Sequence, residues 1–156
     1  MLPLFLIAAD QISKALAVRD LKGAGSKTLI PGVLGLSYVE NRGMSFGLLQ
    51  GQRVLFIALT VLICLFLIWV YLRIPETKRF RPLSACVLLI FSGAVGNFID
   101  RARQGYVVDF LELRFISFPV FNVADCCITW TAVFLAFLLL FHYKEDELKE
   151  IRLWRR

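Results

Sequence analysis

Asp109 and Asp125 are the residues of this chain best suited to chemistry. They sit in the short motifs Val107-Val108-Asp109-Phe110 and Phe121-Asn122-Val123-Ala124-Asp125, between two long apolar stretches. Carboxylates at the edge of an apolar span are costly to keep and usually carry a task. Two carboxyl groups a few ångströms apart cannot both ionise easily, so one keeps a proton. The ionised member can then take a proton from water while the protonated one polarises a carbonyl. Such a pair titrates jointly. The sequence does not show that the two meet in space, and two unrelated loop acids remain the simpler reading of the motifs taken alone.

Other polar groups recur near apolar segments. Asp10, Gln11, Ser13 and Lys14 form one knot, in which Asp10 and Lys14 stand at i and i+4 with the acid first. A lysine reaching out of the membrane with its partner acid explains this knot as well as a functional role does. Asn97, Asp100 and Arg101 close the run Gly93-Ala94-Val95-Gly96-Asn97-Phe98-Ile99-Asp100-Arg101. At helical spacing Asn97 shares a side with both charged residues. With Asp109 following closely, they point to a polar cluster buried between helices. Ser92 and Gly96 give a small-xxx-small pair for close helix contact. Asn41-Arg42-Gly43-Met44-Ser45-Phe46-Gly47 reads as a turn in which Gly43 and Gly47 allow a bend.

The elements that must position these groups are membrane helices. The chain is 58% hydrophobic, against about 45–50% for a soluble domain, and the excess is clustered. Segments 54–72, 82–99 and 126–143 carry no Asp, Glu, Lys or Arg and are long enough to span. Segment 2–18 is a weaker fourth span, interrupted by Asp10 and Lys14 and short on one side. A true start further upstream, or a tilted helix in a thinned bilayer, would account for this. The loop 73–81 and the tail 144–156 are the densest in Lys and Arg, which places them and both termini in the cytoplasm. Segments 19–53 and 101–125 then lie outside. Trp69 and Tyr71 fit an inner aromatic belt, and Trp130 an outer one. Lys22 to Lys27 is loop-like, 33–40 reads as a strand, and 107–118 alternates as a second. The expectation is a single all-α membrane domain, four transmembrane helices carrying a small extracytoplasmic β platform.

The charge of +6 follows from this topology and from anionic lipid headgroups, and requires no nucleic acid. One histidine, His142, at the wrong end of its span, excludes His-Glu-x-x-His and Ser-His chemistry. Cys64, Cys86, Cys126 and Cys127 lack zinc-ligand spacing, and no metal or disulfide is assigned to them.

Taken together the motifs resemble the lipoprotein signal peptidase family (signal peptidase II, or prolipoprotein signal peptidase). The resemblance rests on Asp10-Gln11-Ile12-Ser13-Lys14, Asn41-Arg42-Gly43-Met44-Ser45-Phe46, the run from Gly93 to Arg101, Val107-Val108-Asp109-Phe110, and Phe121-Asn122-Val123-Ala124-Asp125. It covers nearly the whole chain. It implies a bacterial inner-membrane aspartic endopeptidase, active near the outer face, that acts on prolipoproteins carrying diacylglycerol on a cysteine. The cut falls just before that cysteine. Asp109 and Asp125 match the catalytic pair. Asp10, Lys14, Asn41, Gly43, Asn97, Arg101 and Asn122 match the polar, substrate-binding shell, and Asp100 a structural acid. The resemblance also implies contact with membrane lipids, inhibition by globomycin-type peptides, and no cofactor. Met44-Ser45 replaces the family's usual alanine pair, so an altered side-chain preference is expected. Rival classes are a small proton-coupled transporter, with Asp10, Asp100, Asp109 and Asp125 as its relay, and a non-catalytic membrane assembly factor. The transporter predicts inverted repeats or broken helices, which the sequence lacks.

Overall fold

The computed structural model describes residues 1–43 and 51–151. Met44-Ser45, and with it the expected shift in preference, lies outside the described residues, as do Gly47 and the last arginines.

Helix α1 (Leu2–Leu21) starts with Pro3 in its first turn, where a missing N–H costs nothing. It runs past the expected end at residue 18. Its buried residues Asp10, Lys14, Ala17 and Leu21 follow a 4-3-4 spacing, so one face is buried, polar in its first half and apolar in its second. Strands β1 (Lys27–Ile30) and β2 (Leu34–Asn41) form an antiparallel hairpin, and β3 (Val107–Leu113) pairs antiparallel with the far edge of β2. Helix α2 (Arg53–Tyr71) precedes α3 (Arg81–Gln104), and α4 (Val123–Phe137) follows β3. A π-helical turn, Leu138–His142, continues α4, and a short helix α5 (Glu145–Glu150) follows.

Helix α3 is the hub, packing against α1, α2 and α4. Near one end, Leu67, Phe80, Leu83, Val87, Leu138 and Tyr143 form an apolar core. Near the other, Ala17 and Leu21 of α1 pack on Val108 and Phe110 of β3, fastening the sheet to the bundle. The functional groups lie between helices near the sheet.

Among the described residues, three helical segments, Arg53–Tyr71, Lys78–Gln104 and Val123–His142, are long and apolar enough to cross a membrane, and the expected first span, segment 2–18, lies in α1. Helix α1 has the length but carries Asp10, Lys14, Arg19 and Asp20. Helix α3 runs beyond the apolar stretch 82–99. Hydropathy falls after residue 99, but no helix stop occurs until Gly105, whose φ of 82° provides a left-handed cap, its N–H donating to Arg101 O. Asp100 and Arg101 are therefore inside a helix. Strand β3 ends at Leu113, short of the expected residue 118, and its residues Val107 to Phe110 are all buried without alternation. One face of that stretch meets α1 and the other meets the polar cluster, so both sides are covered. Strand β1, with every residue exposed, has no hydrophobic pattern, and the sequence reading did not foresee it.

Candidate active site

Helix packing begins with two glycines. A Cβ on Gly93 would lie 2.6 Å from Ala124 O, and one on Gly96 would lie 2.5 Å from an Asp10 carboxylate oxygen. Both positions let the start of α4 and the middle of α1 press onto α3. The sequence pointed to Ser92 with Gly96. Ser92 is buried, its hydroxyl donating to Leu88 O of its own helix, and the close approaches belong to Gly93 and Gly96.

Against that surface the polar residues of three helices converge. Lys14 is 3% exposed. Its ammonium lies 2.9 Å from Asp10 Oδ2, 3.0 Å from Asp100 Oδ2 and 2.9 Å from Asn97 Oδ1. An ammonium has three hydrogens, so all are used. Asp10 also accepts from the Ala124 backbone N–H at 2.9 Å, tying α1 to the first turn of α4. Asp100 accepts from Gln11 at 3.0 Å and from the Val108 N–H at 3.2 Å, tying α3 to α1 and to β3. Buried charge is tolerable only when so paired.

The two sequence-selected carboxylates arrive from different elements. Asp125 stands in the first turn of α4, where Asn122 is the N-cap. Asn122 Oδ1 accepts from the Asp125 N–H at 3.0 Å, and Asp125 Oδ2 accepts from the Asn122 N–H at 3.2 Å. This reciprocal box fixes the carboxylate to the helix start. Asp109 stands in β3 and is 1% exposed. It accepts from Asn122 Nδ2 at 2.6 Å and from Asn41 Nδ2 at 2.9 Å. Asn97 Nδ2 donates to Asp125 Oδ1 at 2.8 Å. Asn122 thus touches both acids.

Burial pushes the Asp109 carboxyl up to about 6. The negative charge of Asp125 adds to this, while the donors Asn41 and Asn122 and the charge of Lys14 oppose it. That value lies close to neutrality, where a proton can be held or released.

A cavity of about 370 Å³ opens over the pair, and Asn41, Gly43, Arg101, Asp109 and Asp125 are in its wall. Arg101 donates to Gly43 O at 3.3 Å and stacks over Phe56, its charge near both acids. Gly43 N–H donates to Asn41 Oδ1, closing a short side-chain turn that aims the Asn41 amide at Asp109. The remaining wall is mostly apolar, with Leu113, Phe118, Phe121 and Trp130 beside Thr129. The sequence reading marks Trp130 as a belt aromatic and Phe121 as part of a motif, but nothing in it assigns any of these residues to the cavity wall. It also passed over Arg53, which donates to the carbonyls of Arg101 and Ala102 and ties the start of α2 to the end of α3.

All the residues selected from the sequence therefore come together: Asp10, Lys14, Asn97, Asp100 and Asn122 in the buried network, Asn41, Gly43 and Arg101 at the cavity, and the two acids between. The family model for Signal peptidase (SPase) II matches residues 2–141. The chain belongs to the signal peptidase II family. This peptidase is 43% identical, over 138 residues, to the lipoprotein signal peptidase of Caldanaerobacter subterraneus subsp. tengcongensis, covering 88% of this chain and 92% of the relative. It is 38% identical over 144 residues to the lipoprotein signal peptidase of Streptococcus pyogenes serotype M6, covering 92% and 91%. Two solved bacterial membrane enzyme structures, determined in meso, superpose with a TM-score of 0.80 each. One is 31% identical, covering 92% of this chain and 89% of its own, and the other is 30% identical, covering 90% and 91%. The peptidase is a membrane protein by its three apolar helices and its relatives.

Proposed function

We propose that this peptidase is an aspartic endopeptidase that removes signal peptides from diacylglyceryl-modified prolipoproteins, cutting the bond just before the lipidated cysteine. The observation that carries the reading is the pair Asp109 and Asp125, bridged by one asparagine and opening into one cavity. The names of the relatives support the substrate class.

The pair holds one proton. The ionised carboxylate takes a proton from a water molecule, whose oxygen attacks the scissile carbonyl carbon. The protonated carboxyl donates to the carbonyl oxygen as negative charge develops there. In the tetrahedral intermediate the C–N bond breaks as the amine nitrogen takes up a proton. The signal peptide leaves with a new carboxylate, and the lipidated cysteine leaves with a free α-amine. Asn41, Asn97 and Asn122 hold the acids. Arg101, in the cavity wall, lends positive charge to the site. The apolar wall excludes water and raises the strength of each of these contacts. Asp10 and Asp100 are structural, since in the packed interior both pair with Lys14 and accept from Ala124, Gln11 and Val108.

The same reading places the protein in the bacterial inner membrane with four crossings. Helix α1, with 20 residues, spans about 30 Å at 1.5 Å per residue, enough for a bilayer core, with its polar face turned to α3 and α4. The cationic segments put both termini in the cytoplasm and the site near the outer face. The substrate's acyl chains stay among the membrane lipids while its backbone enters the cavity. Globomycin-type peptides are expected to compete there.

The test is cleavage of a purified diacylglyceryl-prolipoprotein by the detergent-solubilised protein, read as a gel shift beside the unlipidated precursor. Cleavage confined to the lipidated form, at the predicted bond, supports the proposal. No cleavage of either by folded protein, or cleavage elsewhere, overturns it.

A further inference from the structure

Hydrogen-bond donors and acceptors in the buried network can be placed by elimination. Lys14 can only donate, so the atom that Asn97 turns toward it must be the carbonyl oxygen. The Asn97 NH2 is then committed to Asp125 Oδ1. Asn122 is fixed in the same way. Its Oδ1 accepts from the Asp125 backbone N–H, so its NH2 must face Asp109 Oδ1 and Asn97 Oδ1. The consequence falls on the carboxylates. Asp109 Oδ1 receives Asn122 and Oδ2 receives Asn41. Asp125 Oδ1 receives Asn97 and Oδ2 receives the Asn122 backbone N–H. All four oxygens meet N–H groups, and none of these contacts offers a lone pair. A proton on either carboxyl therefore finds no acceptor among these neighbours and is left for water or substrate.

Were the Asn97 amide reversed, its oxygen would stand where the NH2 now stands, beside Asp125 Oδ1. A carboxyl proton would then be held in an O–H···O bond to Asn97 and withdrawn from the reaction. The reversed amide would also point its NH2 at the Lys14 ammonium and at the Asn122 NH2, donor against donor. The lysine, with its full charge, and the Asn122 NH2 together make the reversed state costly.

We infer that Lys14 is a positioning residue, which by donating to Asn97 Oδ1 keeps the Asn97 amide from capturing the proton that Asp109 and Asp125 exchange with substrate. It acts through Asn97 and lies outside the cavity wall. This rests on the peptidase reading of the two acids. The groups facing Asp109 and Asp125 are Asn41, Asn97, Asn122, Arg101, Asp10 and Lys14 itself. Loss of the Lys14 charge removes one of the influences that hold Asp109 down.

The experiment is a double-mutant cycle between Lys14→Met and Asn97→Ala, on membrane-extracted full-length protein, with kcat, KM and the pH profile of kcat/KM measured on a diacylglyceryl-prolipoprotein. Lys14→Met is expected to lower kcat at least tenfold with KM within twofold of native. The alkaline limb of the profile should move to higher pH. The double variant should be no slower than the slower single variant, because Lys14 has nothing left to position once Asn97 is gone. Multiplying effects, or an unmoved limb with a raised KM, would overturn the inference. If Lys14→Met does not fold, Lys14→Gln carries the same cycle. Gln keeps a donor for Asn97 without the charge, and is expected to retain more kcat than an Asn97→Ala variant while still moving the limb. Native activity, with its loss in Asp109→Asn and Asp125→Asn, establishes the underlying reading separately. A failed cycle alongside that pattern condemns only the role of Lys14.

Discussion

Asn122 donates to Asp109 Oδ1 at 2.6 Å with the same side chain whose oxygen caps the helix bearing Asp125. One amide therefore sets the start of α4 and joins the two acids across consecutive elements, β3 and α4. Helix capping and site geometry are usually separable, and here they share a residue. The two duties can be pulled apart by mutation.

Asn122→Ser keeps a good N-cap and gives up the bond to Asp109. It is expected to change stability by less than about 1 kcal/mol while lowering kcat by about 10²-fold. Asn122→Ala loses both, with a further loss of about 1–2 kcal/mol of stability. Thermal unfolding in detergent, run beside cleavage assays, separates the two effects. Equal activity in native and Asn122→Ser would remove the bridge from the account.

The raised Asp109 fixes the sign of the pH dependence. As an acid held up to about 6, it keeps its proton in the folded state at pH values where the unfolded chain has lost it. The one-proton form of the pair is thus lost as pH rises through about 6. We expect kcat/KM to fall on that alkaline side, approaching a tenfold drop for each pH unit. Stability moves the same way. The contribution of Asp109 is most favourable below the ordinary aspartate value and is lost as pH climbs from there to about 6, by up to about 3 kcal/mol. Asp109→Asn cannot titrate, so its stability should change less between pH 4 and pH 8 than that of the native protein. It also forfeits one of the bonds from Asn41 and Asn122, since an amide has a single acceptor oxygen, at a cost of about 1 kcal/mol. The slope with pH, not the absolute stability, is the quantity to measure.

Gly93 is a close-packing position whose neighbour cannot yield cheaply. In Gly93→Ala the new methyl would meet the backbone oxygen of Ala124 at 2.6 Å and the Ile128 side chain at 2.7 Å. The start of α4 has to shift, and Asp125 moves with it. The expected result is a loss of about 1–3 kcal/mol together with reduced kcat. Unchanged melting temperature and unchanged turnover in this variant would show that α3 and α4 are less tightly fitted than described.

Much of this architecture was legible from the residue string, and the reasons are physical. Apolar spans over 54–72, 82–99 and 126–143 stand out because a bilayer demands long uncharged runs, and each overlaps one of the three helical segments long and apolar enough to cross a membrane. Hydropathy marks only the membrane margin near residue 99, whereas α3 stops where Gly105 turns the backbone left-handed. The buried partnership of Asp10, Lys14 and Asp100 could be suspected from i, i+4 spacing, but its third member comes from another helix, and no local pattern encodes that meeting. Gln11 illustrates the same limit. It donates to Gly96 O and to Asp100, linking α1 to α3, yet in sequence it is one polar residue in a knot. The clamp of Arg79 on Glu147 and the His142 carbonyl, which fastens the 73–81 loop to α5, also joins segments that only the fold brings together.

The central claim is that Asp109 and Asp125 together hydrolyse the bond, and single Asp→Asn variants of each test it most directly. Each would be purified in detergent, shown to unfold cooperatively, and assayed on the same diacylglyceryl-prolipoprotein as the native protein. The account predicts a loss of at least about 10³-fold in kcat for Asp109→Asn and for Asp125→Asn alike, with both proteins folded. A folded variant of either kind that keeps more than about a tenth of native turnover, well short of what loss of an acid or base costs, would contradict it.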